Sequence, residues 1–120
     1  MAKLLTHTRR PDITFYRKGR ILITSRAARL LSLDQGDVIN ISVEDGEYLL
    51  FSQKNVFGRH EARCYHDKKG SNTYSANSAR LCRAMLDICK VSDDKASFAV
   101  GAPLLRGSVI HLPIITSNLI

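Results

Sequence analysis

Between residues 18 and 41 (KGRILITSRAARLLSLDQGDVINI) the apolar positions change their period twice. Ile21 and Ile23 alternate with Arg20, Leu22 and Thr24, a two-residue period that predicts a strand with unlike faces. Ser25 stands where a helix N-cap belongs, and Ala27, Leu30 and Leu31 then fall on one side of a helix whose other side carries Arg26 and Arg29. Gly36-Asp37 stops the helix, and Val38, Ile39 and Ile41 resume a strand.

The flanks extend the pattern. Residues 12–17 (DITFYR) predict a strand with Ile13 and Phe15 on one face, joined to the central stretch by a Lys18-Gly19 turn. Asp45-Gly46, between two runs of apolar alternation, predicts a hairpin whose returning strand is residues 48–52, because both residues accept positive φ. The first half therefore reads β-β-α-β-β. In the second half, residues 61–66 predict a strand, 67–72 a polar link, and 73–75 an extended segment. Asn77 or Ser78 caps a longer helix through Lys90 that turns Leu81, Cys82, Met85, Leu86 and Cys89 inward. Residues 96–100 and 108–116 predict two further strands, joined by a loop containing Gly101, Pro103 and Gly107. Residues 1–11 read as a polar, basic arm, and 117–120 as a short tail.

The halves resemble one another. Lys18-Gly19 matches Lys69-Gly70 at a separation of 51, and the same offset lays Ala28-Arg29-Leu30 on Ala79-Arg80-Leu81. The expected organisation is a single domain, residues 1–120, made of two pseudo-repeats, about 12–53 and 60–116. One such unit leaves sheet edges and an apolar face uncovered, and a second copy covers both.

Composition narrows the class. A chain of 120 residues with 44% hydrophobic content can build one core without staples. The cysteines, Cys64, Cys82 and Cys89, form no CxxC pair, so they read as core thiols rather than as a disulfide framework or zinc site. No apolar run approaches the roughly 18 residues that span a bilayer, and residues 1–20 hold no signal-peptide core. A cytoplasmic location with no membrane partner is the expectation.

Charge changes the picture most. The formal net charge is +7. Residues 1–30 carry Lys3, Arg9, Arg10, Arg17, Lys18, Arg20, Arg26 and Arg29 against Asp12 alone. Residues 31–60 carry Lys54 and Arg59 against Asp34, Asp37, Glu44, Asp45 and Glu47. A field segregated in this way suits a phosphate-bearing partner.

The central motif also resembles a family. Gly19-Arg20-Ile21-x-Ile23, then Leu30 and Leu33, then Gly36-Asp37-x-Ile39-x-Ile41, is similar to the swapped-hairpin domain of AbrB, SpoVT and MazE-type DNA-binding proteins over residues 14–52. Thr24 replaces the proline usual after the first strand, and Ser71, Asn72 and Tyr74 stand at the Arg20, Ile21 and Ile23 positions of the second half. The resemblance implies a mainly β fold with two helices, in which two β-β-α-β-β-like repeats form a small swapped-hairpin-type barrel. It implies an AbrB-like transcriptional regulator, with duplex DNA as partner and contacts from Arg17, Lys18 and Arg20, joined by Arg26. Arg9 and Arg10 enter on charge alone. Arg29 and Arg80, matched between the halves, are expected to hold a carbonyl or carboxylate within the fold. Two copies permit a monomer, while reading two half-sites favours a homodimer.

Two other classes compete. Cys64 and His66 would share a strand face, which admits a thiol–imidazole pair. The four histidines, however, show no metal-ligand spacing such as HExxH, and Gly-rich phosphate loops, GxSxG and paired carboxylates are absent from the sequence. The expectation is a non-enzymatic protein without cofactor or metal. The second alternative is a protein-interaction module or antitoxin-like partner-binding barrel. An antitoxin of that kind would trail an acidic tail, whereas this chain ends Leu119-Ile120.

Overall fold

The computed structural model describes residues 11–68 and 71–117. The expected arm up to Arg10, the Lys69-Gly70 half of the repeat match and the last three residues of the tail lie outside that range. The elements are β1 (Ile13–Tyr16), β2 (Arg20–Ile23), α1 (Ser25–Leu31), β3 (Val38–Glu44), β4 (Glu47–Gln53), β5 (Tyr65–His66), β6 (Tyr74–Asn77), α2 (Ala79–Ile88), β7 (Lys95–Phe98), β8 (Leu104–Arg106) and β9 (Val109–Ile114). The fold is mainly β with two helices, as expected. Its strands form two antiparallel sheets, one in the order β5-β6-β2-β1-β7 and the other β3-β4-β9-β8.

Each sheet sets one hairpin beside another. In the first, β2 pairs with β6 in the register Arg20↔Asn77 to Ile23↔Tyr74. In the second, β4 pairs with β9 from Tyr48↔Ile114 to Phe51↔His111. Hydrogen bonds also stitch the sheets together at two seams. The start of β3 bonds the segment before β5, with the Ile39 amide donating to the Ala62 carbonyl at 3.0 Å and the Cys64 amide to the Asp37 carbonyl at 2.7 Å. The chain after β7 bonds the end of β9, with Gly101 N donating to Pro113 O at 2.8 Å and Ile115 N to Ala99 O at 2.9 Å.

Alternation explains the core. Ile13, Phe15, Ile21, Ile23, Ala76 and Phe98 point inward from the first sheet and meet Leu50 and Leu112 of the second, with Met85 and Leu86 of α2. Phe15 and Phe98 meet edge to face, centroids 5.7 Å apart, the arrangement aromatic quadrupoles favour.

Four local expectations differ from the structure. The N-cap of α1 is Thr24, not Ser25. Its amide and hydroxyl both donate to the Asp12 carbonyl, at 3.0 and 3.2 Å, a pair of bonds that proline at this position could not make. The strand expected over residues 61–66 contracts to β5 because Ala62 adopts φ 59°, outside the extended region. The loop expected to join the last two strands contains β8, hidden in the sequence by its three-residue length between Pro103 and Gly107. Finally, Ala79 opens α2 while Ala28 is the fourth residue of α1, so the Ala-Arg-Leu match falls about one turn out of phase. Ser78 caps α2 within the expected range, its hydroxyl accepting from Leu81 N at 3.1 Å.

Candidate nucleic-acid interface

The turn between β1 and β2 presents the basic residues singled out in the sequence. It closes with Gly19 N donating to Tyr16 O at 2.8 Å, and Gly19 takes φ +113°, a conformation glycine adopts without strain. The same glycine permits close packing, since a Cβ there would lie 3.3 Å from the Ala79 backbone at the start of α2. Ser78 N, donating to Gly19 O at 2.8 Å, fixes the turn to α2.

The four described candidates meet different fates. Lys18 is exposed at the turn and makes no ion pair among the described residues. Arg17 reaches across to the chain leaving α2, donating to Val91 O at 2.6 Å and to Asp93 O at 3.0 and 3.2 Å. Those carbonyls follow a helix C-terminus, where a cation is favoured by the helix dipole. Arg20 bonds the Asp67 carboxylate at 2.6 Å and lies over the Tyr16 ring, 5.6 Å from its centroid, with Lys95 at 5.8 Å from the same centroid. Arg26 is placed elsewhere, on α1, where it bonds Asp12 at 2.9 Å. The structure therefore brings Arg17, Lys18 and Arg20 to one end of the first sheet and leaves Arg26 apart. Arg9 and Arg10 lie outside the described residues.

The β3–β4 turn of the second sheet carries Glu44, Asp45 and Glu47. Arg106 engages Glu44 through two bonds of 3.1 Å and, by hydrogen bond first and charge second, holds that carboxyl below the usual carboxylate range.

The expected partners of Arg29 and Arg80 are met only in part: Arg80 approaches Glu61 at 3.9 Å, and Arg29 is exposed. Cys64 and His66 do not assemble into a pair. Cys64 is buried, its thiol pushed up to about 12 chiefly by burial, and its hydrogen bond goes to Ala62 O. His66 is exposed, packs against the Tyr74 ring at a 30° tilt and bonds Ser71 O through Nδ1 at 2.7 Å. Cys82, also raised by burial, donates to Arg20 O at 3.3 Å. Among the described residues no group of three His, Cys, Asp or Glu could hold a metal ion, and no helix is long and apolar enough to cross a membrane.

Sequence reasoning missed a second basic region. Residues 54–64 form a bent connection with Asn55, Gly58 and Ala62 in the left-handed region. Arg63 fastens it, donating to Gly36 O and Gly58 O at 2.7 Å each. The available signal was the Phe57-Gly58-Arg59-His60 run, an aromatic beside two basic-capable residues with no apolar periodicity. Comparison of the chain with protein-family models, with curated proteins and with solved structures returns no match.

Proposed function

We propose that this chain is a non-enzymatic DNA-binding protein, a transcriptional regulator of AbrB-like swapped-hairpin type in which one chain supplies both interlocking units, residues 12–53 and 60–116. The observation that carries this reading is the double pairing of hairpins: β2 against β6 in one sheet and β4 against β9 in the other. The two hydrogen-bonded seams, at residues 37–39 with 62–64 and at 99–101 with 113–115, support a small barrel as the resulting form. In a dimeric swapped-hairpin protein those pairings would join two chains; here a single chain makes both.

Duplex DNA meets the end of the first sheet at the β1–β2 turn. Lys18 supplies an ammonium with no ion pair among the described residues, Arg17 a guanidinium that donates to backbone carbonyls, and Arg20 exchanges Asp67 for phosphate. Arg26, bonded to Asp12, contributes through its field. With about three or four phosphates neutralised, log K should fall against log salt with a slope of roughly −3 to −4. The test is binding to random duplex across a salt titration, with light scattering to separate monomer from homodimer. Lys18→Ala with Arg20→Ala should remove most of the affinity and flatten the slope by about two. No binding at low salt, or wild-type binding by a folded double variant, sinks the proposal.

One observation favours the alternative of a protein-interaction module. The β8–β9 hairpin exposes Leu105 at 67% and Val109 at 39%, apolar area that a protein partner would cover.

A further inference from the structure

The connection between β4 and β5 holds an aromatic ring away from the body of the protein. Phe57 is 88% exposed, yet the backbone beneath it is fixed: its carbonyl bonds His60 Nε2 at 3.0 Å, and the adjacent Gly58 carbonyl receives Arg63. Two non-glycine residues of this connection, Asn55 and Ala62, take φ of 58° and 59°, conformations that cost free energy and cluster at functional segments.

Beside it lies an open groove of about 580 Å³, lined by Arg59, His60, Glu61, Arg63, Tyr65 and Asn77. Tyr65 is 52% exposed. Arg63 is held by carbonyls alone, and Arg59 is exposed and makes no ion pair among the described residues. The one acid, Glu61, is turned towards α2, accepting from the Ser78 hydroxyl at 3.3 Å and lying 3.9 Å from Arg80. The groove borders the first sheet through Asn77 of β6. Asn77 stands opposite Arg20, and Tyr16 opposite Lys95. Adjacent strands lie about 4.8 Å apart, so the sheet measures roughly 19 Å from β5 to β7, with Arg20 on β2 and Lys95 on β7.

Flat rings at the surface, together with Arg59 and Arg63 free of carboxylate partners among the described residues and with Arg20 held by Asp67, fit a ligand that has both phosphates and free base faces. We propose that this groove and the adjoining sheet face bind single-stranded nucleic acid, with bases stacked on Phe57 and Tyr65 and the backbone following Arg59, Arg63, Arg20 and Lys95. A duplex offers the charge but keeps its base faces stacked internally. The proposal goes beyond the duplex reading, because the rings and Arg59 take no part in the contacts proposed at the β1–β2 turn.

Fluorescence anisotropy with a labelled thymidine oligomer and a duplex of equal length tests it. The oligomer should bind more tightly than the duplex. Phe57→Ala and Tyr65→Ala should each weaken it about tenfold or more, while Lys18→Ala, the control for the duplex site, weakens duplex binding and spares the oligomer. Arg59→Glu, at an exposed side chain, gives an independent readout should an aromatic variant fail to fold, and should weaken the oligomer by a similar factor. Oligomer binding unchanged in folded Phe57→Ala and Tyr65→Ala overturns the proposal. So does thymidine monophosphate competing at the affinity of the oligomer, which would define a nucleotide pocket, or polyglutamate competing equally, which would reduce the groove to non-specific charge.

Discussion

The buried carboxylate of Asp12 offers a measurement of what holds the first hairpin to the rest of the fold. Its Oδ2 accepts from the Val100 amide at 3.0 Å, a bond across 88 residues of sequence, and from Arg26 Nη1 at 2.9 Å. The two partners differ in environment. Val100 is buried, while the Arg26 side chain is 59% exposed against 7% for Asp12. Asp12→Ala strands the Val100 amide without an acceptor, a loss of about 1–3 kcal/mol, and removes an ion pair that solvent screening limits to about 1 kcal/mol or less. The expected total is about 1–4 kcal/mol. Arg26→Ala loses only the screened pair, about 1 kcal/mol or less, because the Val100 amide still bonds the carboxylate. Asp12→Asn, which keeps an acceptor oxygen, should fall between them. Urea unfolding followed by circular dichroism measures all three, with an unchanged m-value confirming that the native and unfolded surfaces are comparable. If Arg26→Ala costs as much as Asp12→Ala, the ion pair rather than the amide bond carries the stability. Burial would then not set the ranking of the two partners.

Two further outcomes follow from the geometry. Gly19→Ala should destabilise by about 1–3 kcal/mol, through its φ of +113° and the 3.3 Å approach to the Ala79 backbone, and should exceed Gly46→Ala, whose Cβ meets nothing within 4 Å; equal thermal shifts would count against the packing role of the first turn. Arg106→Ala should return the lowered Glu44 pKa to the ordinary carboxylate range in an NMR titration. Because the folded pKa lies below the unfolded one, the stabilisation from this pair is present above the unfolded value, near 4.5, and is lost as pH falls through the folded one. An unmoved Glu44 titration would show that the Arg106 contact is absent in solution.

What the sequence made legible was local. Ile13 and Phe15, Ile21 and Ile23, and Asp45-Gly46 each announce a strand face or a turn within a few residues, and each is found there. Pairing between halves was accessible only as an expectation of repetition, since β2 meets β6 across more than 50 residues and no local period encodes that register. The Ala-Arg-Leu identity that suggested the alignment is out of phase in the helices. The loop 54–64 escaped because its shape depends on Arg63 reaching Gly36, a contact set by tertiary structure rather than by neighbouring residues. Charge was the least complete signal. A count of lysines and arginines records how many cations exist but not what they face, and three of the four described candidates turned out to have partners within the protein.

The kind of partner decides what remains of a cation's use. Arg20 and Arg26 face carboxylates, so a phosphate must compete with an existing charge before it gains anything. Arg17 and Arg63 instead donate to backbone carbonyls, which fix the guanidinium without cancelling it. A long side chain loses roughly 2 kcal/mol of rotamer freedom when immobilised, and here folding has already imposed part of that loss. A guanidinium has five N–H donors, so both residues can bond a phosphate while holding the protein together. Arg17→Lys separates these roles, since lysine keeps the charge but cannot span the Val91 and Asp93 carbonyls with a planar fork. Nucleic-acid affinity should then fall together with the stability of the turn after α2. Loss of stability with affinity unchanged would confine Arg17 to the fold and leave Lys18 as the principal cation of the first turn.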